Sequence, residues 1–312
     1  MTSILRLCGD LDIVWSENEK GSHSRVKRIF NTEIFNNISI YKTKNKKFIK
    51  YKNDIYIFES VINKDEILEA YNILKSENKY YRIMLNKDQS IFTPYNGVDH
   101  ILMKTTNIKE DIFNILLEEK KLNVPSKFLN RTDWSFLWSN KIDYYEYQIN
   151  HIKGKYPIID ESIEYFIGLA ETALSYYEYN CKNINKTVTI CHRRIYDEGY
   201  FNPLNVIIDY KERDIGEFLK YLFWHHADKC KDIDKIIEML VSSNKNMSLI
   251  YSRMIYPSFY FDIYDDIVNS RESPEKMLKI INRISEYEEY LNYVQLKIKE
   301  KIEIQEISWI KK

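Results

Sequence analysis

Between Thr187 and Trp224 the chain gathers a cluster of side chains able to handle a charged, oxygen-rich reactant. His192, Arg193 and Arg194 follow a short β-branched run, Asp197 and Gly199 lie in the polar loop beyond, and Asp209 ends a second apolar run, Val206–Ile208. A carboxylate at a strand end suits magnesium, which takes oxygen ligands. A carboxylate in the loop suits a general base. Two adjacent arginines suit an oxyanion, because a guanidinium donates five N–H groups and accepts none. Asn202 and Asn205 add amides to the same loop. Charge neutralisation around magnesium and phosphates is what phosphoryl transfer mainly requires, together with a phosphate-contacting lysine.

The elements that must position them read as strand, loop, strand and an abrupt helix start. Thr187–Cys191 and Val206–Ile208 have the composition of short strands. Asp214 and Glu217 are spaced as a capping box for the following helix. Ile215, Phe218, Leu219, Leu222 and Phe223 then make one apolar stripe.

This layout resembles the catalytic core of kinase-like phosphotransferases of the aminoglycoside-kinase and choline-kinase type. There a strand ends in a His-Gly-Asp loop and the next strand ends in an Ile-Asp-aromatic metal site. Here the motifs read Cys191-His192-Arg193-Arg194 and Ile208-Asp209-Tyr210. Arg194 stands where that family keeps its catalytic aspartate, and an arginine cannot accept a proton from a hydroxyl. The resemblance implies a metal role for Asp209, a loop-positioning role for His192, and an asparagine role for Asn202 or Asn205 at unusual spacing. Asp197 is the candidate for a displaced base. Arg194 is open to two readings: an anion site shared with Arg193, or an ion pair with Asp209 that clasps the two strand ends.

Three segments sharpen the match: IDYKERDIGEFLKY, EYFIGLAETALSYYEYN (Glu164–Asn180) and LIYSRMIYPSFYFDIYDD (Leu249–Asp266). Together they resemble the YutH-type spore coat-associated family, a divergent relative of the CotS-type spore coat kinase-like proteins. By that resemblance the fold is α+β and bilobal, protein-kinase-like, with an antiparallel-sheet N-lobe over 1–105 and a helical C-lobe over 106–312. It also implies synthesis in the mother-cell cytoplasm, association with the spore coat, and partners among coat or other sporulation proteins.

The rest of the chain fits this order. Ile38–Tyr41, Phe48–Tyr51 and Ile55–Val61 read as strands, and Lys64–Glu77 as a helix capped by Asn63. Tyr81–Leu85, Ile91–Pro94 and His100–Lys104 read as further strands, joined by turns at Asn86-Lys87-Asp88 and Asn96-Gly97. The third strand carries no lysine for nucleotide phosphates; Lys50 and Lys52 lie one strand earlier and read as a solvated edge. Met1–Phe30 has Gly9 and Gly21 but no closely spaced glycines to cradle phosphate. Thr106–Lys121 and the aromatic Trp134–Glu146 read as helices, the latter as core. Ile163–Tyr179 is a helix whose Gly168 and alanines let a neighbour come close. Ile233–Val241, Met247–Tyr256 and Phe259–Val268 follow as helices. After the start signal Ser273-Pro274-Glu275, a heptad-like stripe runs from Ile280 through Ile284, Tyr287, Leu291 and Val294 to Ile298. That stripe either packs into the C-lobe or binds a partner.

Composition bounds the remainder. At 312 residues, 44% hydrophobic and 29% charged, the chain can bury a substantial core. Forty-six basic and 46 acidic side chains cancel, which argues against a nucleic-acid or anionic-membrane partner. Seven glycines and 6 prolines favour long regular elements. The 26 tyrosines match the Lys, Asn and Ile bias of an A+T-rich genome and carry no functional weight. Cys8, Cys181, Cys191 and Cys230 have no metal spacing and suit a reducing cytosol. His225, His226 and Cys230 do not converge, since adjacent helical histidines point apart. The start MTSILRLCGD has no leader pattern, and no stretch reaches membrane-span length. The expectation is a catalytically inactive, kinase-like protein of the endospore coat, with no cofactor and a vestigial metal position at Asp209. The competing expectations are an active small-molecule or protein kinase using Mg-ATP, and a scaffold that binds nucleotide without transfer.

Overall fold

The computed structural model describes residues 38–43, 46–51, 54–86, 88–95, 97–105, 126–195, 200–225, 233–243 and 246–311. The reading of Met1–Phe30, the helix at Thr106–Lys121, and the positions of Cys8, Lys52, Asp197, His226 and Cys230 lie outside the described residues. The chain divides into two compact units: Met1–Asp111 with Ser126–Leu129 and Gly199–Val206, and Ile112–Pro125 with Asn130–Glu198 and Ile207–Lys312.

The first unit is built on an antiparallel sheet. Strands β1 (Ile38–Thr43), β2 (Lys46–Tyr51) and β3 (Asp54–Ser60) form a meander, and α1 (Lys64–Leu74) follows. Strands β4 (Arg82–Met84), β5 (Thr93–Tyr95) and β6 (Val98–Lys104) complete the sheet in the order β1-β2-β3-β6-β4, with β5 also on β6. Tyr56, Ile57 and Phe58 of β3 are all buried, so the strand is covered on both faces. Ile57 packs with Ile67, Ile101 and Met103, while Phe58 stacks on His100 at 4.6 Å. Helix α1 starts where its sequence says it should: Asn63 accepts from the amides of Asp65 at 3.1 Å and Glu66 at 3.3 Å.

Within the same unit, Glu69 on α1 accepts from the successive amides of Lys127, Phe128 and Leu129 at 2.9, 2.8 and 3.0 Å. Burial raises the carboxyl's pKa, but these three backbone donors outweigh it and leave it lowered. Asn202 caps the 3₁₀ turn Pro203–Asn205 through Leu204 and donates to Glu59 at 3.0 Å.

The second unit is mainly helical. Helices α2 (Trp134–Ile152) and α3 (Pro157–Asn180) precede the strands β7 (Val188–His192) and β8 (Val206–Tyr210), which pair. Then come α4 (Lys211–His225), α5 (Ile233–Ser242), α6 (Met247–Ile255), α7 (Ser258–Val268), the short α8 (Leu278–Ile281) and α9 (Ile284–Lys299). The aromatic row of α2 is core: Trp134, Trp138 and Tyr145 are buried. The heptad-like stripe packs inward as well. Tyr287, Leu291, Val294 and Ile298 are fully buried, and the Tyr287 hydroxyl donates to the Met254 carbonyl at 2.6 Å. The partner-binding reading of that stripe is corrected by this burial.

Two further local readings change. The helix after β8 starts at Lys211, so Asp214 and Glu217 lie too deep in it to cap its first amides, and each pairs elsewhere. The close helix approach falls at Gly216, not Gly168. A Cβ on Gly168 would meet nothing within 4 Å, whereas one on Gly216 would meet the Ile250 carbonyl and Arg253 Cβ, both at 2.9 Å.

Candidate functional site

The paired ends of β7 and β8 deliver His192 and Asp209 next to the start of α4. His192 is buried and fixed twice by Asp214, which accepts from its amide at 2.9 Å and from Nδ1 at 2.7 Å. A carboxylate only accepts, so Nδ1 carries the proton. The anchor of His192 is thus Asp214, the residue expected to cap the helix.

Asp209 is 0% exposed and both its oxygens are engaged. Oδ1 accepts from Trp134 Nε1 at 2.9 Å and from the Tyr210 amide at 2.7 Å, while Oδ2 faces Arg213 Nη1 at 3.3 Å. Burial pushes its pKa up to about 6, against the opposing pull of Arg213 and the Tyr210 amide. Arg213 lies one helical turn beyond Asp209, and its Nε and Nη2 donate to the carbonyls of His192 and Arg193, each at 3.2 Å. One guanidinium therefore ties the end of β7 to the end of β8.

The clasp expected of Arg194 thus exists, but its arginine is Arg213. Arg194 turns instead to Asp262 on α7, which accepts from its Nε and Nη2 as a two-pronged fork. Arg194 sits after β7 with its guanidinium only partly buried, so it reaches the helix beyond rather than the carboxylate behind it. The Asn202 side chain is engaged with Leu204 and Glu59, as described above.

Behind Asp209 lies a buried charge network that the sequence reading missed. Glu217 accepts from Lys220 Nζ at 2.9 Å and Arg253 Nε at 2.6 Å. Lys220 also donates to the Tyr256 carbonyl and to Ser258 Oγ, so three acceptors meet its three N–H bonds. Burial raises the Glu217 pKa, but Lys220, Arg253 and the arginines beyond outweigh it and hold the carboxyl well below its usual range. For Lys220 burial wins over the pull of Glu217, and its pKa falls to about 7. The signal for Arg213 was its i+4 spacing from Asp209. The signal for Arg253 was one charge inside the apolar run LIYSRMIY.

Could this arrangement hold a metal? Among the described residues no group of three or more His, Cys, Asp or Glu side chains is placed to hold an ion. Asp209 faces a guanidinium and two N–H donors, the surroundings of an anion partner and not of a magnesium ligand. The residues present therefore do not fit magnesium in this arrangement. His225 bonds to the Tyr221 carbonyl at 3.2 Å, within its own helix.

The family model described as "Spore coat putative kinase YutH" matches residues 29–294 of the chain. The chain belongs to the YutH spore coat family. The endospore coat-associated protein YutH of Bacillus subtilis (strain 168) is 26% identical over 208 residues, 57% of this chain and 61% of that protein. The match thus spans under two thirds of that relative. The fold is that of kinase-like phosphotransferases. Spectinomycin phosphotransferase bound to AMP superposes with a TM-score of 0.52 at 12% identity, covering 91% of this chain and 99% of that one. A choline/ethanolamine kinase family protein from Mesorhizobium loti gives 0.52 at 8% identity over 89% and 99%. In this YutH family member no described helix is long and apolar enough to cross a membrane.

Proposed function

We propose that this YutH family member is a kinase-like protein of the endospore coat that does not transfer phosphate and acts through contacts with other coat or sporulation proteins. The observation that carries the reading is the occupation of Asp209. Its oxygens are held by Trp134, Tyr210 and Arg213, and freeing them for magnesium would leave a buried guanidinium without its carboxylate. Arg194, at the position of the base, supports the same reading, since it can only donate and is bound to Asp262.

Thermal unfolding with Mg-ATP, with Mg-ADP and with EDTA tests the proposal. A nucleotide present at about 100 times its Kd would stabilise the fold by roughly 2.7 kcal/mol. The expected result is no magnesium-dependent shift and no ATP turnover. A shift without turnover would make the chain a nucleotide-binding scaffold. Turnover that disappears in Asp209→Ala would make it an active kinase and overturn the reading.

A further inference from the structure

Arg253 is a buried cation with donors to spare. It lies on α6, 4% exposed, and among the described residues its one side-chain hydrogen bond is from Nε to Glu217. Among the described residues the four N–H bonds on Nη1 and Nη2 meet no acceptor. Its guanidinium carbon lies 5.8 Å from the rings of Trp134 and Trp138 and 5.6 Å from Tyr256. Ring faces attract a cation but do not accept hydrogen bonds as an oxygen does. A guanidinium in such surroundings keeps donors that an oxyanion entering the pocket could take.

Arg253 lines a pocket of about 540 Å³ that belongs wholly to the second unit. Arg131, Arg193, Arg194, Arg213 and Arg271 line it too. Its acidic side chains are Asp262, Asp265 and Asp266, and each already faces a cation: Arg194, Lys141 and Arg271 respectively. The facing wall is aromatic, with Trp138 stacked on Tyr256 at 4.6 Å and Tyr145 on Phe261 at 4.1 Å. Guanidinium donors beside flat apolar rings match a small molecule with an anionic head and a planar body.

We propose that this pocket binds a phosphomonoester, its oxygens taking the Nη donors of Arg253 and its organic part lying along the Trp138, Tyr145 and Phe261 wall. This goes beyond the non-catalytic reading above and does not depend on it. The site is built of arginine donors and needs no magnesium.

Calorimetric titration of the full chain in EDTA, at fixed ionic strength, tests this with inorganic phosphate, phenyl phosphate and phenol. Phenyl phosphate is expected to bind saturably and at least about tenfold tighter than phosphate, and phenol not at all. Arg253→Lys keeps a cation for Glu217 but loses the fork, and is expected to weaken phenyl phosphate by about tenfold or more. Arg271 is 60% exposed, so Arg271→Ala should fold normally and weaken binding roughly threefold by removing long-range attraction. No saturable binding up to about 10 mM overturns the proposal, as does binding unchanged in both variants or seen only with magnesium.

Discussion

Asp209 shows how one residue's surroundings decide its chemistry. Its pKa rises to about 6 because burial disfavours the charged form more than Arg213 and the Tyr210 amide restore it. An unfolded aspartate releases its proton near 3.9. Between those two values the folded chain keeps a proton that the unfolded chain has lost. Stability from this group therefore falls as pH rises through that window, by on the order of 3 kcal/mol, and is level above it. Glu217 has the opposite sign: its lowered pKa contributes stability above the ordinary carboxylate range that is lost on acidification. Urea unfolding of Asp209→Asn beside the parent chain isolates the first effect. The variant's stability relative to the parent should improve between about pH 4 and pH 6.5; a constant difference would show that Asp209 does not titrate there. Glu217→Ala leaves Lys220 and Arg253 buried without their carboxylate, and is expected to cost roughly 3–5 kcal/mol in the same measurement.

The two helical glycines separate close packing from propensity at the level of elements. On α4, Gly216 lets α6 approach until an added methyl would strike the Ile250 carbonyl and Arg253 Cβ at 2.9 Å. Backbone cannot move aside as a flexible side-chain tip can. Gly216→Ala should therefore destabilise by about 1–3 kcal/mol, even though alanine is the better helix former. On α3, Gly168 has open space where its Cβ would be. Gly168→Ala should stabilise by roughly 0.5–1 kcal/mol. Thermal unfolding of the two variants side by side checks both signs, and equal shifts would contradict the difference in packing.

For the whole molecule the balance of charge matters more than any pair. Forty-six basic and 46 acidic side chains leave no net charge at pH 7 to keep copies apart. Solubility in low salt is expected to be lowest near neutrality and to rise about two pH units to either side. Light scattering across pH measures this, and a minimum far from neutrality would show that many groups titrate away from their ordinary values. The two compact units draw their order from different sources: one from an antiparallel sheet with a helix on it, the other from helices around the paired strands β7 and β8.

Much of this was legible along the chain because it is local. The cap at Asn63, the buried stripe from Tyr287 to Ile298, the strand ends carrying His192 and Asp209, and the family motifs all lie in short windows whose periodicity or order the sequence displays. Spacing misplaced the helix start at Asp214 because a strand running straight into a helix leaves no gap for a cap. The choice of partners was decided only by tertiary structure. Asp209 meets Trp134 across 75 residues of sequence, and Arg194 meets Asp262 across 68. Arg253 meets Glu217 across 36. Several carboxylates and arginines were equally plausible mates by residue type. Which of them meet depends on how α2, α4, α6 and α7 pack against β7 and β8, and side-chain burial within that packing fixes whether a charge faces water, a metal or another charge.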